Sequence, residues 1–284
     1  GKAGMVRRPN YVKAEAYNEN MERYEVEAEG LLARAICHEL DHLDGRLYVD
    51  LVDGELYDVE TGDDDEESMH MKSIFMGTPD FSVGTLEALI AAGHEITLVV
   101  SQPDKPKGRG HELQPTPVNE AALKHSLPVY QPKKVRDPEV IEKLRETEAD
   151  VIVVIAFGQI IPKAILEMKQ YGCINVHASL LPKYRGAAPI QWAVIDGEKE
   201  SGVTIMQMDE GLDTGDMLLK GSLELAADET GGSLFDRLST LGANLCAEAL
   251  EKLPKGELKP EKQGESPTEY ARMLTKDMGD LNWT

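Results

Sequence analysis

The feature that most constrains this chain is the run Asp-Val-Ile-Val-Val-Ile-Ala-Phe at residues 150–157. It is short, rich in β-branched residues and apolar at almost every position, which favours a strand over a helix. A strand with no polar face is buried on both sides, as in the middle of a parallel sheet. The pattern around it alternates. Strands are predicted over Lys72–Met76, Glu95–Ser101, Asp150–Phe157, Cys173–His177 and Gly202–Met208. Helices are predicted over Ser82–Ala92, Pro117–His125, Pro138–Glu146, Ala188–Asp196 and Gly232–Leu253. From Met71 onward this implies an open, doubly wound, mostly parallel α/β sheet. Ligands of such sheets sit beyond the carboxyl ends of the strands. The segments that follow strands are GTPD, SQPDKPKGRG, AFGQIIP, NVHASLLP and MDEGLDTGD, and they hold the informative polar residues.

Before Met71 the pattern differs. Residues 59–71, VETGDDDEESMHM, are acidic and have little to bury, so they read as a solvated linker between an N-terminal segment and a new domain. The chain is strongly acidic, with a formal net charge of -21, and the excess of acid is steepest before Met71. Neither part has the basic balance of a non-specific nucleic-acid binder, so any RNA contact must come from a local basic loop. Cys37, Cys173 and Cys246 are odd in number and far apart, which argues against a disulfide framework and for a reducing compartment. No secretory signal and no membrane-spanning apolar run is evident, so a cytoplasmic protein is expected.

Asn175 and His177 are two apart on a predicted strand, so their side chains share one face. Asp213 lies in a loop marked by glycines and further Asp residues. Together they can form an acid/base unit. The amide donates to a developing oxyanion, the imidazole moves a proton, and the carboxylate orients and supports the charged ring. On spacing alone, a His at a strand end is more often a satisfied core residue.

The stretch CINVHASLLPKYRGAAPIQWAVIDGEKESGVTIMQMDEGLDTGDML resembles the core signature of methionyl-tRNA formyltransferases. So do IFMGTPDF, SQPDKPKGRGHELQPTPV, ADVIVVIAFGQIIPKAIL and YARMLTKDMGDLNW, an almost continuous match from Met71 to Trp283. The resemblance implies a catalytic domain over residues 71–276. It implies transfer of a formyl group from 10-formyltetrahydrofolate to the amino group of methionyl initiator tRNA, in translation initiation. The amine attacks the formyl carbon directly, with no metal or covalent enzyme intermediate. Catalytic roles fall on Asn175, His177 and Asp213. A folate cleft is implied at Ala156, Phe157, Gly158, Gln159 and Ile160, with Ser179, Leu180, Leu181, Pro182, Glu210 and Gly211. The basic, glycine-rich loop after the second strand is implied to contact tRNA through Lys105, Lys107 and, above all, Arg109. Residues 277–284 would then lead toward a smaller C-terminal domain that helps hold tRNA.

The segment before the linker holds His38-Glu39-Leu40-Asp41-His42. Two His four apart share a helix face and can chelate one divalent metal, with Glu39 as general base. The motif and its flanks over residues 1–58 resemble the last part of a peptide deformylase, a short α+β unit. That family also uses a Cys ligand and a Gln-bearing glycine motif nearer its N-terminus, neither of which is in this sequence. Cys37 does not substitute, because it is turned about 100° from its neighbour on a helix. A two-His site is open and weak, so the segment is expected to hold divalent metal poorly and to lack hydrolase activity. The alternatives are a formyltransferase of the same fold acting on glycinamide ribonucleotide or an amino sugar, a formyltetrahydrofolate hydrolase, a deformylase acting through HELDH, and a non-catalytic tRNA- or folate-binding fragment.

Overall fold

The structure is a computed structural model. It describes residues 2–3, 9–17, 22–29, 33, 36–37, 40–41, 57–58, 70–107 and 112–279. The chain divides into two compact units, Gly1–Glu67 and Ser68–Thr284. In the first, β1 (Lys2–Ala3) awaits a distant partner, while β2 (Tyr11–Tyr17) and β3 (Arg23–Glu29) form an antiparallel hairpin in which Lys13 stands opposite Glu27. β4 (Tyr57–Asp58) returns to pair antiparallel with β1. Of the HELDH stretch only Leu40 and Asp41 are described, both helical; His38, Glu39 and His42 lie outside the described residues, as does 59–69.

The second unit is built on a seven-stranded sheet. Its strands are β5 (Lys72–Gly77), β6 (Glu95–Val100), β9 (Val129–Tyr130), β10 (Val151–Ile155), β11 (Cys173–His177), β12 (Glu200–Gln207) and β13 (Met217–Glu224). A separate antiparallel hairpin joins β7 (Lys105–Lys107) to β8 (Glu112–Gln114). The sheet order is β13-β12-β11-β10-β5-β6-β9. β11, β10, β5, β6 and β9 are parallel, while β12 and β13 add antiparallel at one edge. Every residue of β10 is buried, as its composition requires. The helices are α1 (Asp80–Ala91), α2 (Pro117–Lys124), α3 (Pro138–Glu146), α4 (Lys163–Leu166), α5 (Pro189–Ile195) and α6 (Gly231–Lys252). Proline opens α2, α3 and α5, where a missing N–H costs nothing. α6 starts at Thr230, which forms a capping box with Ser233.

Each face of the sheet carries its own core. One is built around Phe75, Leu86, Val153, Ile174, Val203, Leu238 and Cys246. The other gathers Ile74, Met76, Val100, Leu144, Ile152, Val154 and Cys173. This is the doubly wound α/β architecture, mostly parallel, that the sequence predicts. The predicted strands and helices all form, their ends shifted by at most two residues. The two elements of the sheet with no sequence prediction are β9 and β13. β9 has only two residues, and β13 alternates buried and exposed positions as an edge strand does.

The antiparallel β12 corrects one expectation. Its last residue, Gln207, lies beside Ile174 at the start of β11, so the loop after it leaves from the opposite end of the sheet. That loop reaches the site by running back across the sheet.

Candidate active site

Asn175, His177 and Asp213 line one cavity of about 580 Å³. Asn175 sits in a row of paired residues with Val154 on one side and Met206 on the other, so all three point to the same face. The cavity straddles the sheet end. Phe81, Ile190 and Phe235 contribute from one face; Val154, Phe157, Ile161 and Met208 contribute from the other. Phe81 and Phe235 stack edge to face with centroids 5.3 Å apart.

The hydrogen bonds fix the chemistry of the polar trio. His177 Nε2 lies 2.9 Å from the carbonyl of Tyr184. A carbonyl only accepts, so Nε2 carries the proton and Nδ1 presents its lone pair in the neutral ring. Nδ1 lies 3.8 Å from Asp213 Oδ1, close enough for an ion pair once the ring is protonated. Asp213 Oδ2 accepts from the Gly186 backbone N–H at 2.9 Å. The Asn175 amide donates one hydrogen to the Val154 carbonyl at 3.0 Å, which fixes the side chain and leaves the second hydrogen for a ligand.

Tyr184 is itself held firmly. Its hydroxyl reaches Asp196 Oδ2 at 2.8 Å and Glu198 Oε1 at 2.9 Å. Burial and these two carboxylates push the phenol well above its usual range, so it remains a donor. Lys183, 2.9 Å from Glu198, holds that carboxyl below its usual range. Tyr184 and Asp213 both adopt left-handed backbone conformations, φ 54° and 55°, which are uncommon away from glycine.

The wall after β10 turns sharply, with Ala156 at φ 45° and Gly158 at φ 87°. The Phe157 carbonyl accepts from Thr78 Oγ1 and Gln102 Nε2, each at 3.1 Å. Gln159 lines the cavity yet spends its amide on Val135 N, Gln102 Oε1 and the Lys133 carbonyl. Ala156, Phe157, Gly158, Gln159, Ile160, Glu210 and Gly211 all border the cavity. Ser179, Leu180, Leu181 and Pro182 do not. Ser179 is buried with its hydroxyl on the Lys183 carbonyl, and Leu181 packs with Met206, which lines the cavity, and with Met217.

Lys105 and Lys107 lie on the β7 strand of the hairpin; Lys105 is exposed and does not line the cavity. Arg109 lies outside the described residues. Sequence reasoning missed Phe235, Met206 and Met273 on the cavity wall. Phe235 reads as an ordinary core position of an amphipathic helix, and nothing local marks Met273. Among the described residues, no group of three or more His, Cys, Asp or Glu could hold a metal ion. No described helix is long and apolar enough to cross a membrane.

A formyl transferase family model matches residues 71–250. The methionyl-tRNA formyltransferase of Agathobacter rectalis is 60% identical over 214 residues, covering 75% of this chain and 69% of that protein. The chain belongs to the methionyl-tRNA formyltransferase family. A second member, from Lachnospira eligens, is 57% identical over 213 residues, 75% of this chain and 68% of that protein. The formyltransferase fold extends further. Glycinamide ribonucleotide transformylase 1 from Symbiobacterium toebii matches with a TM-score of 0.57 at 16% identity, over 68% of this chain and 94% of that one. An N-formyltransferase from Helicobacter canadensis, solved in complex with folinic acid and dTDP-3-aminofucose, matches with a TM-score of 0.54 at 20% identity, over 71% of each chain. Residues 1–56 match a polypeptide deformylase family model.

Proposed function

We propose that this chain transfers the formyl group of 10-formyltetrahydrofolate to the amino group of methionyl initiator tRNA, the step that prepares the tRNA for translation initiation in the cytoplasm. The observation that carries the proposal is the convergence of Asn175, His177 and Asp213 in one cavity whose remaining wall is mostly apolar. The choice of acceptor rests on 60% identity to a methionyl-tRNA formyltransferase, against 16% and 20% to the two enzymes of other acceptors.

The cavity suits a folate. Its volume lies within the usual range for small-molecule sites, about 300–1,000 Å³. Ala156–Ile160 offer backbone groups and apolar side chains to a flat heterocycle. Bound there, the folate supplies the formyl carbon that the amine nitrogen attacks. The free hydrogen of Asn175 Nδ2 donates to the formyl oxygen as negative charge builds on it, the preorganised contribution of an oxyanion donor. His177 Nδ1 takes the proton that the attacking nitrogen sheds. Asp213 stabilises the resulting imidazolium across the 3.8 Å gap. As the bond from the formyl carbon to the folate nitrogen breaks, His177 returns the proton to that nitrogen. No metal enters this scheme. We further assign Lys105, Lys107 and Arg109 to the tRNA backbone, where basic side chains position the acceptor without reading its bases.

The test is formyl transfer by the full chain to charged initiator tRNA, run beside free methionine, glycinamide ribonucleotide, an amino-sugar nucleotide and no acceptor. Transfer confined to the charged tRNA is expected. A preference for either small acceptor, or release of formate with no acceptor, overturns the proposal.

A further inference from the structure

The segment after α6, residues 257–272, lies beyond the part of the chain that the formyl transferase family model matches. It nevertheless ties the active site together. Glu261 and Met217 exchange backbone hydrogen bonds of 2.8 and 2.9 Å at the start of β13. Ala271 N donates to the Arg185 carbonyl and Ala271 O accepts from Ala188 N, at 2.8 and 2.9 Å. Thr268 Oγ1 accepts from Tyr184 N at 2.8 Å. The segment is therefore a strap across the two loops that hold His177 and Asp213.

Gln263 is the point where the strap meets Asp213. Its Nε2 donates one hydrogen to the Asp213 carbonyl at 2.9 Å and the other to the Gly215 carbonyl at 2.7 Å. Its Oε1 accepts from Arg185 Nε at 3.0 Å, and Arg185 Nη2 reaches the Gly264 carbonyl at 2.9 Å. Every polar group of the Gln263 side chain except one lone pair is thus used. Arg185 lies between Tyr184, whose carbonyl orients His177, and Gly186, whose N–H holds the Asp213 carboxylate. One amide therefore links the backbone that orients the imidazole to the backbone that carries its carboxylate. Asp213 needs such a link, because its left-handed backbone persists only where the surroundings over-determine it. Gly215 lies close against the end of β12, where an added Cβ would strike the Gln207 carbonyl.

We propose that Gln263 is a positioning residue for formyl transfer, setting the distance from Asp213 to His177 through the Asp213 carbonyl. The proposal rests on the catalytic reading given above. Its test combines two substitutions with two readouts, all in the full chain. Gln263→Leu removes both donors at nearly constant size. Gln263→Glu keeps the acceptor for Arg185 but sets an anion against two carbonyls, and serves where the Leu variant does not fold. Each should lower kcat by about 10- to 100-fold, the range for a misplaced catalytic group, while folate affinity and tRNA KM change less than threefold. In an Asp213→Asn background the same substitutions should cost less than threefold, because residues acting as one unit are not additive. Amide hydrogen exchange over residues 209–215 should quicken at least tenfold, with β11 unchanged. Losses that multiply in the double variant, or equal losses in folate affinity, overturn the proposal. Unchanged exchange over residues 209–215 also overturns it, whether or not the chain transfers formyl groups. Lack of transfer by the unmodified chain refutes the function instead.

Discussion

Two glycine-rich loops leave the same sheet and are held in opposite ways. The loop from β12 to β13 is tied at nearly every turn. Asp209 Oδ1 accepts from Gly211 N at 3.0 Å and from Thr214 Oγ1 at 2.8 Å, while Asp213 is bonded through its carboxylate and its carbonyl. The β7–β8 hairpin is anchored at its base. Asp104 Oδ1 accepts from Gln131 Nε2 at 2.7 Å, Asn119 Nδ2 at 3.2 Å and Thr116 N at 3.3 Å. Beyond that base, the hairpin's described side chains, Lys105, Leu113 and Gln114 among them, are exposed. The difference follows from the work proposed for each. Proton transfer fails if a group moves by about 1 Å. A cation meeting a phosphate tolerates more, because its field falls off slowly and its side chain is long.

The largest expected effects lie beside the tied loop. His177→Ala should lower turnover by about 10²- to 10⁴-fold, the worth of a positioned acid/base group. Asn175→Ala should lower it by about 10²- to 10³-fold, the worth of an oxyanion donor. Neither should shift the melting temperature much, since both residues border a cavity. Near-normal turnover in either folded variant removes that residue from the mechanism.

The hairpin should respond differently. Arg109→Ala is expected to raise the KM for tRNA several-fold and to flatten its salt dependence by about one unit of slope. Folate affinity should not change. Equal losses for both ligands would mean that the hairpin shapes the folate cleft, and the contrast between the loops would collapse. A finer test is Asp104→Ala, which removes the charged acceptor at the base and leaves Gln131 and Asn119 short of a partner. The expected cost is about 1–3 kcal/mol of stability, with a raised KM for tRNA and kcat within about threefold. A kcat loss as large as that of His177→Ala would show the hairpin to be part of the chemistry.

The same contrast explains what could be read from the sequence. β10 announces itself because burial on both faces leaves no polar position, and the strand at Cys173–His177 has the bounds its pattern implies. Asn175 and His177 were legible together because strand geometry puts alternate residues on one face. Asp213 was legible as a loop residue, yet its route to the site was not, since no local pattern says that β12 runs antiparallel. Gln263 was invisible. Its role depends on contacts with residues about 50 and 80 positions earlier in the chain, and a lone Gln in a polar stretch carries no periodicity. Ser179–Pro182, which the family resemblance assigns to the folate cleft, carry no local pattern that says which way they face; Leu181 packs against Met206 and Met217.

The smallest expected effect separates the fold from the chemistry. His94 is buried before β6, and its Nδ1 accepts from the Met71 backbone N–H at 3.2 Å. Only an unprotonated Nδ1 can accept. Burial, and then the neighbouring His70, hold the His94 pKa below its ordinary 6.5. The folded state therefore binds fewer protons than the unfolded state as pH drops below about 6.5. The stabilising contribution is fully present above that value and is lost as pH falls toward the lowered folded value. His94→Gln keeps an acceptor for Met71 N–H but cannot titrate. Between about pH 8 and pH 5 the unmodified chain should lose a few degrees more in Tm than this variant, on the scale of about 2–4 °C per kcal/mol for a domain of this size. Turnover at about pH 8 should be the same in both proteins, because His94 touches neither loop. A loss of turnover with His94→Gln at that pH would mean that the packing around Met71 reaches the active site.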